Sequence, residues 1–169
     1  AANLELIIIT GLSGAGKSRA AAALEDMGVY CVDNMPVQLL PQLADVFSNM
    51  QSRYPRVALV TDIRAWSDAS ELLYVLEELR SQGLKIRVLY LYADMATLVK
   101  RYKETRRRHP LESNTVSLEA AIRREMQILE PIRGLAEDAI NTSSTTLGEL
   151  KEKLEQVFGT REEREGITV

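Results

Sequence analysis

The sequence predicts a three-layer α/β domain built on a mostly parallel, five-stranded sheet. Short, nearly continuous aliphatic runs alternate with helical stretches along the chain, the pattern of strands buried on both faces. The helices between them are long enough for right-handed parallel crossovers. A length of 169 residues suits one domain that buries roughly 70% of its unfolded surface.

The first run, Leu4-Glu5-Leu6-Ile7-Ile8-Ile9, reads as a buried strand that ends at Thr10-Gly11, where a glycine-rich stretch begins. Lys17 to Met27 reads as a helix through the alanines Ala20 to Ala23, with Gly28 as its stop. Val29 to Val32 is a second strand, ending at Asp33-Asn34. Pro36 to Met50 reads as helical, with Pro41 as a break or a first-turn residue. Val57 to Thr61 is a third strand, ending at Asp62, and Ser67 to Ser81 is a helix stopped by Gly83. Ile86 to Tyr92 is a fourth strand. Asp94 caps a helix that runs through Arg101 and Tyr102 toward Arg108, before Pro110. Ser117 caps a further helix to about Leu129, with a kink expected at Pro131. Ala139 to Thr142 is the last strand, and Thr146 with Glu149 forms a capping box for a helix to Phe158. Residues 1–159 are thus expected to form the domain, and 160–169 a charged tail or linker.

Composition narrows the function. Lys and Arg total 21 against 24 Asp and Glu, a net charge of -3, which argues against a basic sheath for nucleic acid. One cysteine and one histidine exclude an intrachain disulfide, a CxxC site and paired-histidine metal motifs. No apolar run approaches a membrane span, and Ala1 to Thr10 lacks a secretory n-region, so a cytoplasmic setting is expected.

The chemistry is carried by Gly11-Leu12-Ser13-Gly14-Ala15-Gly16-Lys17-Ser18, a full match to G-x-x-x-x-G-K-[ST] set between a strand and a helix. Glycines let the backbone turn its N–H groups onto an anion, and the helix start adds unpaired donors and a positive dipole end. Lys17 would neutralise phosphate charge and Ser18 would ligate Mg²⁺. The magnesium shell also needs a carboxylate. Asp62, after the apolar third strand, is the first candidate. Asp33, after the second, is its competitor, placed near an acceptor or an attacking water; either could instead simply cap the next helix. Arg64 either faces the same crevice or makes a surface salt bridge.

The segment Lys100 to His109 holds six cations and one acid. On a helix Arg101, Thr105 and Arg108 would share one face, and Lys103 and Arg107 another. Small P-loop kinases carry such arginines on a lid over the triphosphate. A phosphate-ligand or RNA contact patch and a solvated basic face are the alternatives. The catalytic set read here is Lys17, Asp62 and Arg106, with Ser18 and Asp62 as metal ligands. His109 reads as a structural or loop residue and Cys31 as a small core residue. Trp66 and the tyrosines lack the spacing of a base-stacking platform.

The loop, together with Leu24-Glu25-Asp26-Met27-Gly28 and Tyr30-Cys31-Val32-Asp33-Asn34-Met35-Pro36, resembles the RNase adaptor RapZ and YvcJ family of bacterial nucleotide-binding proteins. The likeness continues through Asp62-Ile63-Arg64, Thr105 to Leu111, Leu129-Glu130-Pro131 and Asn141-Thr142-Ser143. It implies an ATP- and GTP-binding protein with nucleotide hydrolysis. Gly11 to Ser18 would hold ATP, and Asp62, Ile63, Arg64 and Ala65 would form a second, GTP-associated stretch. Ala65 departs from the asparagine or glycine often found there. Adaptor members act in small-RNA decay and amino-sugar metabolism and carry a further C-terminal domain. RNA, sugar-phosphate or regulatory-protein contacts are therefore expected mainly outside this chain, and a homo-oligomer is compatible with the resemblance. The competing functions are a small-metabolite or nucleotide kinase, and a scaffold for RNA or protein that uses nucleotide only as a signal.

Overall fold

The computed structural model describes residues 4–50, 53–61, 63–105 and 108–159. Among them the chain runs β1 (Glu5–Gly11), α1 (Lys17–Asp26), β2 (Tyr30–Met35), a 3₁₀ turn (Val37–Leu39), α2 (Leu40–Ser48), β3 (Arg56–Thr61) and α3 (Trp66–Ser81). It continues through β4 (Lys85–Tyr92), α4 (Met95–Thr105), α5 (Leu118–Leu135), β5 (Asp138–Asn141) and α6 (Leu147–Phe158). The five strands form one sheet in the order β2-β3-β1-β4-β5, and every pairing is parallel.

The aliphatic runs make the three inner strands. Ile7 pairs with Ala58 on one side and Arg87 on the other, and Leu6 to Ile9, Val57 to Leu59 and Val88 to Leu89 are fully buried. The edge strands β2 and β5 are more exposed, as only one neighbour and partial helix cover require. α1 packs with the C-terminal helix α6, and α3 packs with α5. The right-handed rule for parallel crossovers puts α1 on the opposite face from α3 and α5, because the connections they make run in opposite directions across the sheet. The connection after β1 leads toward β2 and the one after β3 leads toward β4, so the chain reverses direction beside β1. Open α/β sheets bind ligands at the carboxyl ends of strands next to such a reversal.

Three local readings change. The second strand runs on to Met35, with a register shift between Val32 and Met35 and Asn34 at φ 52°. The helix expected over 36–50 is a 3₁₀ turn followed by α2, because Pro41 belongs to the first turn, where its missing N–H costs nothing. Pro131 lies inside α5, which continues to Leu135. Gly28 (φ 87°) ends α1 as expected: its N–H bonds to the Glu25 carbonyl and the Val29 N–H bonds to Leu24, the Schellman pattern. All three expected side-chain caps form: Asp94 Oδ1 accepts the Thr97 N–H at 2.8 Å, Ser117 accepts from the Ala120 N–H, and Thr146 and Glu149 close a full capping box. No described helix is long and apolar enough to cross a membrane. Residues 160–169, expected to be a tail or linker, lie outside the described residues.

Candidate functional site

The loop after β1 opens into a cleft of about 590 Å³ at the carboxyl edge of the sheet. Its glycines serve different ends. Gly11 (φ 138°) sits against β4 so closely that a Cβ would lie 2.1 Å from the Leu91 carbonyl oxygen. Gly14 (φ 87°) passes under the Tyr102 ring, 3.1 Å from where a Cβ would stand. Gly16 (φ 99°) has open space beside it and caps α1 without a side-chain hydrogen bond. The first turn of α1 therefore turns its N–H groups and its positive dipole end to the cleft.

The loop's carbonyls are tied back into the protein. The Thr142 hydroxyl donates to the Ala15 carbonyl at 2.7 Å, and Arg101 from α4 donates to the Gly14 carbonyl at 2.9 Å. Arg101 also bonds the Thr142 hydroxyl and carbonyl, so the end of β5 and the loop are clamped together. A planar trans peptide points its N–H opposite its C=O. Holding Ala15 O inward therefore aims the Gly16 amide the other way. Lys17 bends back, its Nζ donating to the Gly11 carbonyl at 2.9 Å.

From behind, Glu125 of α5 grips the loop. Its Oε1 accepts the Ser13 N–H at 2.9 Å and its Oε2 accepts the Ser13 hydroxyl at 2.6 Å. His109 Nε2 reaches the same Oε1 at 3.1 Å. Burial, the largest influence, pushes the Glu125 carboxyl up. The bonds from His109 and Ser13 and the charge of Lys17 outweigh it and hold the group below its ordinary 4.5. The cleft wall is strongly basic: Lys17, Arg19, Arg64, Arg101 and Arg108 line it with one acid, Glu104. Burial, then the like charge of Arg19, lowers the pKa of Arg101 below that of an ordinary guanidinium. Cations this crowded gain most from a polyanionic partner.

The structure sorts the residues read from the sequence. Ser13, Gly14, Ala15, Gly16, Lys17 and Ser18 line the cleft together with Arg64. Gly11 and Leu12 turn inward; Leu12 is buried and its N–H bonds to the Leu91 carbonyl. Ile63 is buried in the core, and Ala65 is the N-cap of α3. Asp62 and Arg106, two of the three expected catalytic residues, lie outside the described residues, as does Arg107. Asp33 is exposed at the end of β2, while its neighbour Asn34 lines the cleft. The helix expected to carry Arg108 ends at Thr105 as described, and neither Arg108 nor His109 is helical, so Arg101, Thr105 and Arg108 do not share a helical face. A residue before proline is pushed out of the α region, which fits His109 preceding Pro110.

Sequence reasoning missed Glu125 and Thr142; His109, read as a structural or loop residue, is structural and buried against Glu125. One signal for Glu125 was present: it occupies the buried stripe of α5 with Ala121, Ile122, Ile128, Leu129 and Ile132. An acid on an apolar stripe must find a partner inside.

The family model for the RapZ-like N-terminal domain matches residues 4–162. The chain belongs to the RapZ-like N-terminal domain family. A nucleotide-binding protein of Mannheimia succiniciproducens is 45% identical over 163 residues, covering 96% of this chain and 55% of that protein. One from Desulforudis audaxviator is 42% identical over 168 residues, covering 99% and 57%. This chain thus spans little more than half the length of these relatives. Among solved structures, a shikimate kinase from Acinetobacter baumannii in complex with shikimate superposes with a TM-score of 0.59 at 20% identity, covering 91% of this chain and 92% of that one. The tunicamycin resistance protein of Deinococcus radiodurans gives 0.63 at 17% identity, covering 93% and 97%. At these identities the likeness establishes the fold of this RapZ-like domain, that of small P-loop kinases.

Proposed function

We propose that the chain is a nucleoside-triphosphate-binding module that takes ATP and GTP with Mg²⁺ and hydrolyses them slowly, serving as the N-terminal part of a bacterial regulatory or RNase adaptor protein. The observation that carries this is the glycine loop whose carbonyls are fixed inward by Arg101 and Thr142 beside a helix start that its N-cap Gly16 leaves without a side-chain cap bond. That arrangement presents fixed N–H donors to phosphate oxygens at no cost of reorganisation on binding. Lys17 would exchange the Gly11 carbonyl for the β- and γ-phosphates, and Arg64, Arg101 and Arg108 would add positive field at the cleft wall. Ser18 lines the cleft beside Lys17. One hydroxyl there, with phosphate oxygens, water and the carboxylate of Asp62, suits an octahedral ion that keeps several waters. Magnesium so held would neutralise charge developing on the phosphates. The curated relatives' names support the nucleotide reading. Any RNA or regulatory-protein partner would be bound mainly outside this domain.

A small-metabolite or nucleotide kinase is the second reading, favoured by Asn34 and Arg64, which line the cleft from the β2 and β3 ends. Calorimetric titration with non-hydrolysable ATP and GTP analogues and Mg²⁺, with phosphate release measured alongside, tests the proposal. Binding by the wild-type chain that disappears in Lys17→Ala is expected; equal affinity in the variant would refute it. ADP release stimulated by a sugar or nucleoside would favour the kinase reading instead.

A further inference from the structure

We infer that Glu125 is a positioning residue: its buried carboxylate holds the first half of the glycine loop and, through His109, fixes that loop against the segment that brings Arg108 to the cleft. This deepens the nucleotide-binding reading and rests on it.

Three donors converge on the one carboxylate, the Ser13 N–H, the Ser13 hydroxyl and His109 Nε2. The direction of the histidine bond follows from its other nitrogen. Leu111 N–H donates to Nδ1 at 3.0 Å, so Nδ1 offers a lone pair and Nε2 carries the hydrogen. Glu125 and His109 are only 3% and 1% exposed, so water cannot stand in for either partner. Packing α5 on the sheet does not require an acid here, since its neighbours on the stripe are aliphatic. A buried carboxylate is instead a costly group whose bonds define where the loop and the histidine sit. The Tyr102 ring, 5.3 Å from the His109 ring, lies over Gly14 and closes the same assembly from the α4 side. Arg108 directly precedes His109, so the anchored imidazole sets where its guanidinium can reach. Loop and basic wall are thereby prearranged for one anion, and preorganisation shows as affinity.

The test compares the wild-type chain with Glu125→Met and Glu125→Gln, using Mg²⁺ and a non-hydrolysable ATP analogue. Gln keeps the geometry: its oxygen can accept both bonds now made to Oε1, and its NH₂ can donate to Ser13 Oγ. Glu125→Met should bind at least about tenfold more weakly, and Glu125→Gln should stay within about threefold of wild type. Hydrogen exchange gives a readout that simple loosening of the fold would not move. Analogue binding should slow exchange across residues 109–112 in wild type and Glu125→Gln, and leave it unchanged in Glu125→Met. If Glu125→Met does not fold, Ser13→Ala removes only the hydroxyl bond and should weaken binding about threefold; unaltered affinity there overturns the inference. Wild-type affinity in Glu125→Met, or equal losses in Met and Gln, overturns it as well. A wild-type chain that binds no analogue overturns the nucleotide reading and this inference with it.

Discussion

Alanine at Gly11 and at Gly16 should damage the protein to very different degrees, although both glycines belong to the same motif. At Gly11 the added Cβ would stand 2.1 Å from the Leu91 oxygen and 2.7 Å from its nitrogen, and φ is 138°. An ordinary carbon–oxygen approach is about 3.3 Å, so β1 and β4 would have to part by about 1 Å. That displacement strains the Leu12 N–H to Leu91 carbonyl bond, now 3.0 Å, at the join of two inner strands. Backbone strain of about 1–2 kcal/mol, a lost hydrogen bond of about 1 kcal/mol and overpacking of about 1–3 kcal/mol sum to about 4 kcal/mol. For a domain of this size that lowers Tm by about 10 °C. At Gly16 nothing lies within 4 Å and only φ is unfavourable. The loss there should be about 1–2 kcal/mol, a few degrees of Tm. Thermal unfolding and urea titration followed by circular dichroism read both. A Gly11→Ala protein as stable as Gly16→Ala would refute the reasoning.

Further outcomes follow from the same contacts. Because the Glu125 carboxyl is held below 4.5, the unfolded chain binds a proton at a pH where the folded chain does not. Its stabilising contribution is therefore complete above about pH 4.5 and lost as pH falls through the lower folded value; Tm against pH should decline less steeply on the acid side in Glu125→Gln. Burial, then Glu25 and Asp33, push the Cys31 thiol up to about 12, so iodoacetamide at neutral pH should label it far more slowly than a free thiol, read by mass spectrometry. The Thr10 and Thr61 hydroxyls are buried at the ends of β1 and β3 without hydrogen-bond partners among the described residues. Thr61→Val should leave Tm unchanged or raise it, and a drop worth more than about 1 kcal/mol would show that the hydroxyl is satisfied in solution.

What the sequence disclosed was whatever its neighbours along the chain determine. The inner strands were legible because burial on both faces demands aliphatic side chains without interruption, as in Leu6 to Ile9 and Val57 to Val60. The glycine loop was legible because its motif is contiguous in the chain, and the Thr146–Glu149 box because its two partners are three residues apart. The clamp on the loop was not, because its parts come from distant positions: Glu125 meets Ser13 across 112 residues, and Thr142 meets Ala15 across 127. Arg108 was misplaced for a related reason. Charge spacing favours a continuing helix, whereas burying the His109 ring against Glu125 directs the chain inward after α4. His109 itself looked incidental because its role depends on an acid that is sixteen positions away in the chain.

The most direct measurement of the central claim is a crystal structure of the chain with Mg²⁺ and a non-hydrolysable ATP analogue. The account predicts the phosphates seated on the amides of Gly16 to Ser18, with Lys17 Nζ moved from the Gly11 carbonyl onto a phosphate oxygen and Ser13 still bound to Glu125. Nucleotide found away from this loop, or the cleft filled by the protein's own side chains, would contradict it.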